Sequence, residues 1–357
     1  MQIGINCFKD FQLKSIIQSE NHKGHCDIKN EDNVLVYDTN ITHENDLRDN
    51  ISSILGVYTP ESELDSSNSS MHFDKIENKI AENWNIFDES PENIRKIILS
   101  ICKDDYEDSD KLFQENVAMA ALVDSDFLSR NRITKNETWR DFSNRIKYTN
   151  RFHHDINLEI LKDLFLSESL QVTLSPEDTY IRARINSGDK PYVKDEMGCP
   201  PPGMATVGRI NPAGISCLYL ADSVKTALNE VRARCHDTVA IGRFNPVENI
   251  KIIDLSLIDQ ISPFSETLFD LEWFAVNMKV LKEMSEDLSK PLRRQDKLLD
   301  YLPSQYISEY IKYLGYDGIA FSSTVHRNGK NYAIFDSEKM DCKDIKELYI
   351  HELRYSY

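Results

Sequence analysis

The chain has 357 residues, 40% of them hydrophobic, with 59 acidic against 42 basic residues and a formal net charge of −17, so it is long enough for two domains with cores of their own. That charge excludes sequence-independent binding to nucleic acid, which depends on neutralising phosphates with Lys and Arg. Seven scattered cysteines, a longest apolar run of seven residues at 117–123, and an N-terminus with no basic segment leading into an apolar one predict a cytoplasmic protein without membrane span or export signal.

Residues 1–40 read as a small cap, with an amphipathic stretch at 8–17, a turn at Gly24 and an apolar strand at 34–37. Residues 41–168 read as helical. Within them, segment 61–110 holds 14 acidic and 5 basic residues and the polar run Ser66-Ser67-Asn68-Ser69-Ser70, which marks a flexible loop between helices. Helical spacing returns at Leu112, Val117, Ala120 and Ala121, and again at Ile156, Leu158, Ile160, Leu161, Leu164 and Phe165. From 169 to 357 the pattern changes to short β-rich runs at 180–185, 216–220, 238–244, 250–255, 318–322 and 332–335. Helices are predicted at 223–234, 265–288 and 303–314, the last stopped by Gly315. Strands and helices without strict alternation predict an α+β domain with a mixed sheet rather than a doubly wound fold. The helix at 265–288, with Leu268, Leu271, Phe274 and Met278, serves either as core or as the face of a homo-oligomer.

Chemistry concentrates in residues 205–221, where Arg209 sits among Gly208, Pro212 and Gly214 and the loop runs into an apolar strand carrying Tyr219. The two glycines permit positive φ and close approach of a ligand to the backbone, and the proline stiffens the turn, so the guanidinium is aimed. Upstream, Arg182 and Arg184 share one face of a short strand. Two arginine clusters point to a phosphate-bearing ligand, because the planar fork of Arg matches phosphate oxygens in pairs. Arg182 has an alternative partner in Asp178, and Tyr219 is either an ordinary core tyrosine or an aromatic wall. Glu230 falls at the border of a helical stripe of Val224, Ala227, Leu228 and Val231, where it either faces a cleft or pairs with Arg234. Ser323 ends a strand, and a polar loop leads from it to Asn331. There is no P-loop, no Gly-x-Gly-x-x-Gly fingerprint and no Gly-x-Ser-x-Gly elbow, so neither a Rossmann coenzyme nor a serine-hydrolase mechanism is expected.

Five segments in this order carry a family resemblance: Arg182-Ala183-Arg184, Gly208-Arg209-Ile210-Asn211-Pro212-Ala213-Gly214-Ile215, Leu218-Tyr219-Leu220-Ala221, Thr226-Ala227-Leu228-Asn229-Glu230 and Asp317-Gly318-Ile319-Ala320-Phe321-Ser322-Ser323. They resemble the RES domain, named for an Arg, a Glu and a Ser. The resemblance implies an ADP-ribosyltransferase-like fold over 169–357 that degrades NAD, commonly as a toxin paired with a helix-turn-helix antitoxin. It makes Arg182 and Arg209 the arginines, Tyr219 the aromatic, Glu230 the acid and Ser323 the serine, with Asn331 ordering the following loop. Phe321-Ser322 stand where the family more often has Tyr-Pro, which leaves both Ser322 and Ser323 open for the serine's role. NAD is then a substrate rather than a cofactor, cleaved between nicotinamide and ribose with inorganic phosphate or water as acceptor. The rivals are transfer to a protein side chain and a catalytically idle binding module.

Residues 1–40 resemble a zinc-ribbon-like start found before some RES domains. Only Cys7 and Cys26 remain here, with Gly4 and Lys29 at the partner positions and His22 and His25 irregularly spaced, so a metal-free remnant is expected. Residues 41–168 resemble the HEPN-like helical module that accompanies longer RES proteins. Arg145 and His153, with seven residues between them, miss the spacing of its ribonuclease members, and a regulatory or dimerising bundle is the expectation.

Overall fold

The computed structural model describes residues 1–41, 46–64, 72–153, 155–188, 190–201, 203–265, 270–290 and 298–352. The chain divides into two compact units, one of residues 1–137, 155–160 and 259–281, the other of residues 138–154, 161–258 and 282–357. The division does not fall at 40 or 168, since the cap shares a unit with the helices that follow it.

In the first unit, strands β1 (Gln2–Gly4), β2 (Lys23–Cys26) and β3 (Glu31–Asp38) form an antiparallel sheet in the order β1-β3-β2. Helix α1 (Phe11–Glu20) begins where the Asp10 carboxylate accepts the Leu13 N–H at 2.9 Å. It is followed by α2 (Asp46–Leu55), α3 (Ile76–Asn83) and α4 (Pro91–Ile101). Helix α4 illustrates the local logic: Ser90 caps it, Pro91 occupies its first turn, and Ile94, Ile97, Ile98 and Ile101 form one buried face. Helical spacing misleads further on, because α5 (Lys111–Gln114) is a single turn. Val117–Ala118 is instead a strand, β5, paired with β4 (Thr59–Pro60), and the Val117 N–H donates to the Asp74 carbonyl at 2.8 Å. Residues 120–122 form only a 3-10 turn, and helices α6 (Ser125–Asn131), α7 (Trp139–Tyr148) and α8 (Leu158–Leu166) follow along the chain. The serine run at 66–70 lies outside the described residues.

Cys7 and Cys26 are buried with their sulfurs 3.7 Å apart, and the Gly4 and Lys29 N–H groups donate to Cys26 Sγ at 3.2 and 3.3 Å. Lys29 sends its ammonium to Asp88 at 3.0 Å and Glu89 at 3.6 Å. Burial pushes the Cys7 thiol well above its ordinary pKa. Among the described residues, no group of three or more His, Cys, Asp or Glu is placed to hold a metal ion.

Helix α10 (Leu271–Ser289) begins at Leu271 rather than 265, and Leu268 lies outside the described residues. Its Phe274 and Asn277 are fully buried in the first unit. Asn277 Oδ1 accepts the Ile133 N–H at 2.9 Å, and its amide donates to the Asn131 and Trp273 carbonyls at 2.8 and 3.0 Å, so this part of the helix is core.

The second unit is built on strands β6 (Gln171–Leu174), β7 (Tyr180–Asn186), β8 (Leu218–Ala221), β9 (Thr238–Pro246), β10 (Ile250–Asp254), β11 (Gly318–Ser322), β12 (Lys330–Ile334) and β13 (Met340–Tyr349). They form one mixed sheet in the order β13-β9-β7-β8-β12-β11-β10-β6, with β10 and β11 parallel and the other neighbours antiparallel. The α+β class is the one the sequence predicts. Leu218, Leu220, Ala240, Phe244, Ile252 and Ile334 belong to the core on one face, while Ile181, Ala183, Ala221, Val239 and Ile241 pack on the other with Ala227 of α9 (Val224–Glu230). That helix stops at Glu230 instead of 234, because the chain turns through Arg232 at φ 53°. Helix α11 (Leu302–Tyr313) ends before Gly315, whose φ of 92° suits glycine. Strands β6 and β13 are absent from the sequence reading; β13 pairs with β9 along its length but carries Asp341, Lys343, Asp344, Lys346 and Glu347, the charged dress of an edge strand. Among the described residues, no helix is long and apolar enough to cross a membrane.

Candidate active site

A cavity of about 340 Å³ opens on the sheet face covered by α9, lined by Arg182 and Ile181 from β7, Tyr219 from β8, Phe321 from β11, Asn331 from β12, Glu230 from α9, and Arg209. Five of the six residues singled out from the sequence therefore line one hollow, and the sixth, Ser323, is one hydrogen bond away.

The Arg209 loop is held by polar side chains. Asn211, 5% exposed, donates through its amide to the carbonyls of Ile215, Thr206 and Pro212 at 2.8, 3.0 and 3.2 Å. Its Oδ1 accepts the Tyr219 hydroxyl at 2.7 Å, and that hydroxyl accepts the Ile210 N–H at 3.1 Å. The glycines differ in their reasons. Gly214 has φ 86°, but Gly208 is needed for space: a Cβ there would lie 2.4 Å from Asn211 Oδ1 and 2.6 Å from the Tyr219 oxygen. From α11, Gln305 donates to the Gly208 and Asn211 carbonyls at 2.7 and 3.0 Å, and Ser304 to the Arg209 carbonyl at 2.7 Å.

The loop delivers a guanidinium whose Nη1 donates to the Leu288 and Ser289 carbonyls at the C-terminal end of α10, at 3.0 and 2.9 Å. A cation suits a helix C-terminus. Its central carbon lies 5.5 Å from the centre of the Phe321 ring, and its buried Nε has no hydrogen-bond partner among the described residues. Arg182 reaches only the Tyr219 carbonyl, at 3.5 Å, and takes no carboxylate partner among the described residues; the expected alternative, Asp178, instead accepts the Ser175 N–H at 2.7 Å. Burial lowers the pKa of both guanidiniums. Arg184 turns away to the Glu196 carbonyl and the Tyr192 ring.

Opposite the arginines, Glu230 Oε1 accepts the Ser323 hydroxyl at 2.7 Å and the Asn331 amide at 2.6 Å, while Oε2 takes no partner among the described residues. The sequence alternative of a Glu230–Arg234 pair fails because the helix ends at Glu230 and Arg234 is no longer one turn along. Ser323 is buried and Ser322 exposed, so Ser323 is the serine brought to the acid. The His326 N–H donates to Ser323 Oγ at 3.2 Å and Ser323 N–H to the Gly329 carbonyl at 2.8 Å, closing the loop onto the site. Tyr219 is half-buried, with its hydroxyl committed to the loop and its pKa raised by desolvation, so it presents a wall rather than an ionisable phenol. Asn211, Ser304, Gln305 and the lining residue Tyr301 escaped the sequence reading. The available signal was a pair of polar residues, Ser304-Gln305, on the buried side of a helix.

The site thus belongs to an α+β fold, with two arginines and aromatic rings lining a hollow that faces a fixed carboxylate. Residues 182–357 match the family model of the RES domain. The crystal structure of the M. tuberculosis MbcT–MbcA toxin–antitoxin complex is similar at 14% sequence identity with a TM-score of 0.30, covering 50% of this chain and 87% of that one. No curated protein matches the sequence.

Proposed function

We propose that this protein degrades NAD by breaking the bond between nicotinamide and ribose. The observation that supports this most is the pair of cations, Arg182 and Arg209, lining one cavity without a carboxylate partner among the described residues, opposite a carboxylate oriented on one oxygen. Partly buried guanidiniums with no carboxylate hydrogen-bonded to them favour an anionic ligand, and the diphosphate of NAD is one. Tyr219, Tyr301 and Phe321 offer apolar walls to the nicotinamide and ribose. As the C1′–N bond lengthens, positive charge develops on the ribose, and the Glu230 carboxylate stabilises it while nicotinamide leaves neutral. Inorganic phosphate then forms the new bond at C1′ in phosphorolysis, or water forms it and loses a proton in hydrolysis. The same geometry serves transfer to a protein side chain. The biological reading is a cytoplasmic toxin or defence effector held in check by an antitoxin, with the HEPN-like helical portion as its regulatory part and NAD as substrate in place of any bound cofactor.

The test is product analysis by mass spectrometry of NAD incubated with purified protein, with and without millimolar phosphate. Phosphorolysis yields free nicotinamide and a phosphorylated ADP-ribose in a phosphate-dependent way. ADP-ribose at a phosphate-independent rate establishes hydrolysis instead, and absence of both NAD loss and modified protein refutes the enzyme reading.

A further inference from the structure

A second, larger hollow of about 660 Å³ lies within the RES-containing unit and takes no part in the chemistry above. Its walls are Leu302, Tyr306 and Tyr310 from α11, Leu298 from the turn before it, Phe152, and Pro212 of the Arg209 loop. Phe152 and Leu298 are 82% and 60% exposed, an unusual use of large apolar side chains on a charged chain. Tyr306 stands edge-on to Phe142 at 5.5 Å and Tyr310 is stacked on Tyr313 at 6.1 Å, contacts that hold these two rings in the wall. Volume and lining both fit a small-molecule pocket, for which about 300–1,000 Å³ and a mostly apolar, aromatic wall with a few charged groups are typical. Arg151 and Glu309 are the charged groups here.

One residue connects this hollow to the candidate active site. Gln305 lines it and holds the Gly208 and Asn211 carbonyls, while its neighbour Ser304 holds the carbonyl of Arg209. Val207, Pro212 and Ala213, on either side of Arg209, form part of the same wall. We propose that this hollow is an effector site for a drug-sized aromatic molecule, apolar over most of its surface, whose occupancy sets the order of the 205–215 loop and so the placement of Arg209. A ligand that binds one arrangement of that loop better than another shifts the protein toward it. The consequence for turnover rests on the NAD reading; the binding and the loop ordering do not.

The experiment titrates the full chain with N-phenyl-1-naphthylamine, an uncharged aromatic probe, and with its sulfonated analogue 8-anilino-1-naphthalenesulfonate, and follows amide hydrogen exchange over 205–215. Saturable binding of the uncharged probe is expected, weakened by about tenfold in Leu302→Trp, which fills the hollow. Tyr310→Ala, which removes a wall, gives an independent variant if Leu302→Trp unfolds. Saturating probe slows exchange in 205–215, and changes the rate of NAD loss. Equal affinity in both folded variants, or binding without altered exchange in 205–215, overturns the proposal. So does probe binding that falls with rising protein concentration as a dimer forms, which assigns the face to a second copy. If the probe orders the loop but NAD is never consumed, the NAD reading fails and the pocket stands.

Discussion

Replacing Asn211 by Ala tests whether the loop that carries Arg209 is held as described. The side chain has two amide hydrogens and three carbonyls around them, so the approaches from Ile215 at 2.8 Å and Thr206 at 3.0 Å take the two hydrogens and Pro212 at 3.2 Å shares one. The third bond lost is that from the Tyr219 hydroxyl, 2.7 Å from Oδ1. At a net value of about 1 kcal/mol each, the three come to about 3 kcal/mol, with stranding of the buried Tyr219 hydroxyl pushing the cost up and water entry pulling it down. For a unit of this size that corresponds to a fall of roughly 6–12 °C in the unfolding midpoint, measurable by calorimetry. Asn211→Asp keeps the acceptor for Tyr219 and recovers part of the loss in the second arm. A double-mutant cycle with Tyr219→Phe isolates the shared bond, with an expected coupling of about 1 kcal/mol. A midpoint within about 2 °C of the parent protein, together with additivity in the cycle to about 0.3 kcal/mol, refutes the description of the loop.

Arg209→Ala and Glu230→Ala each lower NAD turnover by ~10²–10³ if each meets charge that grows in the transition state, whereas Arg184→Ala, engaged with the Glu196 carbonyl outside the cavity, has little effect. The measurement is initial rate beside unfolding midpoint, and near-parental turnover in Glu230→Ala removes that residue from the chemistry. Elemental analysis of protein purified without added metal is expected to give no stoichiometric zinc, because Gly4 offers no ligand atom and Lys29 places an ammonium beside Asp88 and Glu89. A full zinc equivalent lost in Cys7→Ser shows the opposite.

What could be read from the sequence and what could not divide along a physical line. Arg182, Arg209 and Glu230 stood out as charged groups beside an apolar strand or helix stripe, a local incongruity visible without coordinates, whereas Tyr219, Ser323 and Asn331 were singled out by their resemblance to the family's motifs. The reasons that Arg209 is held where it is were not visible, since they depend on partners far along the chain: Leu288 and Ser289 at one helix end, Ser304 and Gln305 at the start of another. Gly208 shows the difference most clearly. Its sequence context predicts a glycine required for positive φ, whereas it is required because Asn211 and Tyr219 occupy the space of a Cβ, a condition set jointly by a loop and a strand. The same limit hid β13, whose alternation carries charge on both faces and whose identity as a strand comes from pairing with β9 rather than from its own pattern. Local signals and motif resemblance thus mark the candidate side chains, and long-range hydrogen bonds decide where those side chains point. Variants of Gln305 and Ser304, remote in sequence from every motif residue, are accordingly expected to act on Arg209 through the backbone it hangs from.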